Sequence, residues 1–222
     1  MIKRKRSFLS PLIILLFLLV TIVACDTGAG SGDSHASRGI EAYQLGRYDE
    51  GIDEFNQAIE LGVTRYDLEE VYTALGNSYD AVDLYEEAIN AHEKAIELNP
   101  NYYIAWVNLG ITYRHMGDLD QAEESYKKAL IIEPDYAELH ASIGALYIFK
   151  AEPRLAIESL ERSIELDSQV AVAHSNLALA YAMDGRFEDA EASLHQATVL
   201  GYDNWAEIQE RIESLKAFQD GE

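Results

Sequence analysis

The chain has one cysteine, four prolines and 17 Lys+Arg against 39 Asp+Glu, a formal net charge of −22. A lone cysteine makes no disulfide within the chain, so the fold has to rest on buried apolar surface. Few prolines leave long stretches free to run as helix. The shortage of cations argues against nucleic acid as a partner, because phosphate binding needs clustered Lys and Arg. Anionic headgroups would also repel the folded part, so it is not expected to lie flat on a bilayer. A basic partner is permitted by the charge, although a well-solvated acidic surface accounts for it equally. Also absent are HExxH, the P-loop, GxGxxG and GxSxG. The many carboxylates are scattered as a solvated face would scatter them, which gives no support to acid–base catalysis. No continuous β-branched strand pattern occurs, while Ala, Leu, Glu and Tyr dominate. The composition reads as all-α, with no cofactor and no enzyme.

What is present begins with a basic patch, Lys3 to Arg6, followed by a run from Phe8 to Ala24 that is apolar apart from Ser10, Pro11 and Thr21. Seventeen residues are at the lower limit for crossing a hydrocarbon core about 30 Å thick. A basic region, an apolar region and small residues at the end are the marks of an export signal. Ile22-Val23-Ala24-Cys25 resembles the lipobox of bacterial lipoprotein signal peptides. The resemblance implies that residues 1–24 are removed and that the Cys25 sulfur carries diacylglycerol. Losing the four basic residues of that leader from 17 leaves 13 against 39, a formal −26. Asp26 follows the cysteine, and in some two-membrane bacteria an aspartate there holds lipoproteins at the inner membrane. The expected place is the outer side of the cytoplasmic membrane, with the outer membrane left open. Residues 25–34 read as a flexible tether, at most about 30 Å extended and roughly 17 Å as a coil.

The rest of the chain repeats itself every 34 residues. ALGNSYDAVDLYEEAINAHEKAIELNPN is followed at that period by NLGITYRHMGDLDQAEESYKKALIIEPD, then SIGALYIFKAEPRLAIESLERSIELDSQ, then NLALAYAMDGRFEDAEASLHQATVLGYD. GIEAYQLGRYDEGIDEFNQAIELG is an earlier partial copy. A small residue recurs as Gly39, Gly76, Gly110, Gly144 and Ala178. A second series is Gly51, Ala88, Ala122, Ala156 and Ala190, and a third is Ala58, Ala95, Ala129, Ser163 and Ala197. Tyr79, Tyr113, Tyr147 and Tyr181 follow the first series by three, and Pro100 and Pro134 end two copies. These motifs resemble the tetratricopeptide repeat, a helix–turn–helix unit. The resemblance implies an all-α, right-handed solenoid. The physics agrees: small residues let paired helices approach to 8–10 Å, and no unit buries its apolar face alone.

Five units are expected, at 32–65, 69–102, 103–136, 137–170 and 171–204, within a solenoid spanning 35–217. A capping helix covers 205–217, with Trp205, Ile208, Ile212 and Leu215 on one face, and an acidic tail covers 218–222. His35 and Arg38 make the first unit's outer face polar, as a terminal repeat requires. Residues 66–68 are an insertion, and Asp67 within it resembles a capping box together with Glu70. Glu152-Pro153 stands where another unit has Gly117-Asp118, and Pro153 suits a helix start.

In the resembled family the first helix of each unit lines a concave groove that holds partner peptides. Carried over by position, the candidates are Asn77 and Asp80, then Ile104, Asn108, Ile111, Arg114 and His115. Ser142 and Phe149 follow, and Asn176, Leu179 and Met183 complete the set. Chaperone-type members grip terminal carboxylates with Lys, Arg and Asn here. Arg114 is the only cation among these positions, so that clamp is not supported. The groove runs from polar at Asp80 to apolar at Ile111, Phe149, Leu179 and Met183, which suits an apolar or amphipathic segment. His140 and His174 occupy the position of Trp106, and the sequence shows no further ligands that would make them a metal site.

The function implied is a membrane-anchored scaffold that binds a segment of a partner protein. A narrower version is an assembly factor of envelope machinery, pilotin-like or docking cell-wall enzymes, which rests on shared architecture alone. A metal-binding protein or enzyme on the solenoid, and a homo-oligomer joined through Trp205, are the other classes.

Overall fold

The computed structural model describes residues 31–221. Cys25, the leader and most of the tether lie outside them. Eleven helices follow one another: α1 Ser31–Gln44, α2 Tyr48–Leu61, α3 Leu68–Asp80, α4 Tyr85–Leu98, α5 Tyr103–Met116, α6 Leu119–Ile132, α7 Ala137–Phe149, α8 Pro153–Leu166, α9 Ala171–Met183, α10 Phe187–Val199 and α11 Trp205–Asp220. Among the described residues there is no strand, and no helix is long and apolar enough to cross a membrane.

Each odd helix pairs with the even helix after it, and the five pairs stack in chain order. The recurrent small residue is what permits the pairing. A Cβ at Gly39, Gly76 or Gly110 would stand 2.5–2.7 Å from a ring atom of Phe55, His92 or Tyr126, and one at Gly144 would overlap Leu160. The second and third small-residue series are buried throughout. Between pairs, Leu139, Leu146 and Leu160 are fully enclosed, and so is Ile212 of α11. Truncating one such side chain to Ala costs about 2–5 kcal/mol.

The turns inside the pairs use one left-handed residue each, at Gly46, Asp83, Gly117, Ala151 and Gly185, with φ between 57° and 90°. Ala151 therefore stands in the place of Gly117, one residue before the Glu152-Pro153 expected there. An L side chain at that φ costs about 1–2 kcal/mol relative to glycine. Asp118 caps α6 by accepting the Gln121 amide at 3.1 Å, and Pro153 opens α8 as anticipated.

Three boundaries differ from the sequence reading. Residues 31–34, inside the expected tether 25–34, are already helical, and Gly32 and Asp33 each fill a site. A Cβ at Gly32 would overlap the Gly62 carbonyl. The Asp33 carboxylate accepts the Thr64 and Arg65 amides at 2.8 and 3.0 Å and the Thr64 hydroxyl at 2.7 Å. The last helix continues to Asp220, so residues 218–220 of the expected tail are helical. The Asp67 carboxylate makes no capping hydrogen bond; its backbone carbonyl instead accepts the Glu70 amide at 3.0 Å.

Candidate functional site

The odd helices α1, α3, α5, α7 and α9 touch one another in order, and α11 adjoins α9. Their shared face is where the groove candidates fall. Asn77, Ile104, Asn108, Ile111 and Ser142 are half-buried along it. The Ser142 hydroxyl is turned to its own helix, donating to the Glu138 carbonyl at 2.8 Å.

Across three units this face carries a polar chain. His115 Nδ1–H donates to Asp80 Oδ2 at 2.8 Å, and the Arg114 Nη2–H group meets the other ring nitrogen at 3.3 Å. The Arg114 guanidinium lies 5.3 Å from the centre of the Phe149 ring, within reach of a cation–π contact. This chain is incomplete. Asp80 Oδ1 and Arg114 Nε are buried without a hydrogen-bond partner among the described residues. Burying an unpaired polar group costs about 1–3 kcal/mol, and both atoms point inward, where Arg114 stands beside the enclosed Tyr126 hydroxyl.

Beside Arg114 the face opens into a cleft of about 270 Å³. Ala145, Ile148 and Phe149 come from α7, Val172, Asn176 and Leu179 from α9, and Arg211 from α11. Phe149 is 61 % exposed and Val172 44 %. The structure thus gathers Arg114, Phe149, Asn176 and Leu179 into one place. Asn77, Asp80, Ile104, Asn108, Ile111, His115 and Ser142 remain on the same face outside the cleft.

Two candidates change role. Leu179 is only 3 % exposed and Met183 is half-buried, both packed in the cluster that includes Ile208 and Ile212. The last helix packs on the fifth unit, and a second cavity of about 410 Å³ opens between them, lined by Leu179 and Met183 of α9 and by Glu210, Arg211, Ser214 and Leu215 of α11. Leu179 contributes only a sliver of cleft floor. The same packing delivers Arg211, which the spacing of α11 placed on its charged face. Trp205, expected on the buried face of that helix, is exposed.

His140 and His174 have a structural partner. Trp106 Nε1–H donates to the Pro100 carbonyl at 3.1 Å. His140 Nε2 makes the equivalent bond to Pro134 at 2.8 Å, and His174 to Ser168 at 3.1 Å. One ring N–H in each of three units ties off the turn before its helix. No cluster of three or more His, Cys, Asp or Glu suited to a metal occurs among the described residues.

Two buried groups escaped the sequence reading. His92 stands in the series of Phe55, Tyr126, Leu160 and Leu194, fully enclosed against Gly76, and neither ring nitrogen has a partner. Burial pushes its imidazole down to about 4 from 6.5. The other is Asp33, whose carboxyl is held below the usual range first by the Thr64 hydroxyl and then by the Arg65 and Thr64 amides.

Sequence profiles described as the tetratricopeptide repeat match residues 69–102 and 103–136, 137–170, and 171–196. The tetratricopeptide repeat domain-containing protein PYG7, chloroplastic, of Arabidopsis thaliana is 43% identical over 53 residues. That match covers 24% of this chain and 18% of the relative, so it spans under a fifth of the relative's length. The thermophilic repeat protein TTC0263 of Thermus thermophilus superposes with a TM-score of 0.70 at 24% identity, over 83% of this chain and 98% of the other. MamA of Desulfovibrio magneticus RS-1, residues 41 to the end, does so with 0.60 at 15%, over 78% and 96%. A tetratricopeptide repeat protein of Parabacteroides merdae gives 0.64 at 18%, over 86% and 74%. With the pairwise stacking of its helices and profile matches running unbroken from residue 69 to 196, the chain belongs to the tetratricopeptide repeat family.

Proposed function

We propose that this protein is a lipid-anchored scaffold that binds a segment of a partner protein on the shared face of its odd helices. The observation that carries the reading is Phe149. A 61 % exposed aromatic side chain sits at the lip of an apolar cleft, under an arginine with an unsatisfied N–H. Covering the exposed part of that ring would recover about 1–2 kcal/mol. The anchor rests on Ile22-Val23-Ala24-Cys25, and it places the solenoid at an envelope membrane.

The test takes a partner captured by crosslinking in cells and then measures its affinity for purified variants. Phe149→Glu and Val172→Glu should each weaken binding about tenfold or more, with helical circular dichroism intact. Leu179→Glu is a poor probe, because it would place a charge in the packing between α9 and α11. Unchanged affinity in both exposed variants would rule the cleft out as the binding surface.

A further inference from the structure

We infer that the cleft is built for an acidic stretch of polypeptide, with one apolar side chain flanked by Asp or Glu carboxylates. This rests on the reading that the shared face binds a partner segment, and it specifies the chemistry of that segment. Arg114 from α5 and Arg211 from α11 border the cleft at its two ends, because α7 and α9 lie between those helices in the stack. Between them the floor is apolar, formed by Ala145, Ile148, Val172 and Leu179. An occupant that satisfies the surface therefore has an apolar centre and an anionic group towards each arginine.

The charge pattern points the same way. Carboxylates outnumber cations 39 to 17 in this chain. Arg38, Arg47, Arg154, Arg162 and Arg186 each pair with one. Arg65, Arg114 and Arg211 belong to no ion pair among the described residues, and of these Arg114 and Arg211 border the cleft. The Arg114 guanidinium carbon stands 5.3 Å from the centre of the Phe149 ring, and a guanidinium beside a ring can still offer its in-plane N–H groups to a carboxylate. Arg114 Nε is buried towards Tyr126, so a carboxylate in the cleft would be met by the terminal amino groups of the guanidinium. A basic segment would face two guanidiniums at short range, which is repulsive.

Size narrows the class further. About 270 Å³ is below the 300–1,000 Å³ typical of small-molecule sites, and it suits the side chain of a peptide. The Asn176 amide makes no hydrogen bond among the described residues and offers both a donor and an acceptor to a peptide backbone. The protein's overall negative charge opposes an acidic partner only at long range. That repulsion is screened over about 8–10 Å, so the two arginine contacts decide the outcome at the surface.

The experiment is selection from a phage-displayed library of random dodecapeptides against the full chain in detergent. Enriched peptides should place Asp or Glu on both sides of Leu, Ile or Phe. Arg114→Gln and Arg211→Gln should each weaken their binding about tenfold, and Phe149→Glu should abolish it. Arg211 is on the exposed side of α11, so its variant reports even if Arg114→Gln perturbs the fold. Enriched peptides that need Phe149 but carry no acidic preference, or that bind the double arginine variant normally, would overturn this inference and leave the groove reading standing. Absence of enrichment over bare matrix, or binding indifferent to Phe149→Glu, would overturn both.

Discussion

A histidine faces Gly76 where the equivalent unit has Phe55 against Gly39, and the substitution has a measurable consequence. Burial pushes the enclosed His92 imidazole down to about 4 from 6.5. The unfolded chain therefore takes up the proton first as pH falls. The folded state keeps its full advantage above pH 6.5 and loses it progressively between 6.5 and about 4, by up to about 3 kcal/mol. His92→Phe should flatten that decline and raise the melting temperature, since it also removes two unpartnered nitrogens. Parallel melting curves for both proteins from pH 7.5 to 4.5 would show that His92 does not govern the acid limb. The small-residue positions were legible in the sequence because close helix approach tolerates few residue types and so prints a period. What each glycine faces was not legible, since the opposing residue varies freely among Phe, His, Tyr and Leu.

Helices behave likewise. Their number and order follow from the 34-residue period, but their ends depend on contacts made at a distance. Residues 31–34 belong to the first helix, where the Asp33 carboxylate is claimed by a loop about thirty residues on. Since those bonds hold its carboxyl below the usual range, they stabilise the closed arrangement above about pH 3.8 and are lost as pH falls through the lower folded value. Asp33→Asn should increase amide exchange in α1 and in residues 62–66 at neutral pH, leaving α5 to α10 protected. Unchanged exchange at α1 would show that the carboxylate is dispensable. The last helix shows the other side of the same limit. Its apolar stripe identified a cap, and Ile208 and Ile212 are buried as the stripe requires. How it crosses α9 was invisible, and that crossing both covers Leu179 and brings Arg211 to the cleft.

For the whole molecule, an acidic solenoid of five helix pairs presents a cleft where the exposed Phe149 and Val172 stand between Arg114 and Arg211. Its proposed tie to a membrane is a single residue. Cys25→Ser should move the protein to the soluble fraction or leave the precursor uncleaved, and processing and fractionation like the natural protein would dispose of the anchor. The proposed function requires the partner to lie in the cleft. Photocrosslinking decides it, with a benzophenone amino acid placed in cells either at Val172 or at Ile131, which is 80 % exposed on α6. A partner seated in the cleft gives a discrete adduct from position 172 that disappears on Phe149→Glu, and none from position 131. An adduct from 131 alone, or one from 172 that survives Phe149→Glu, would place the partner elsewhere.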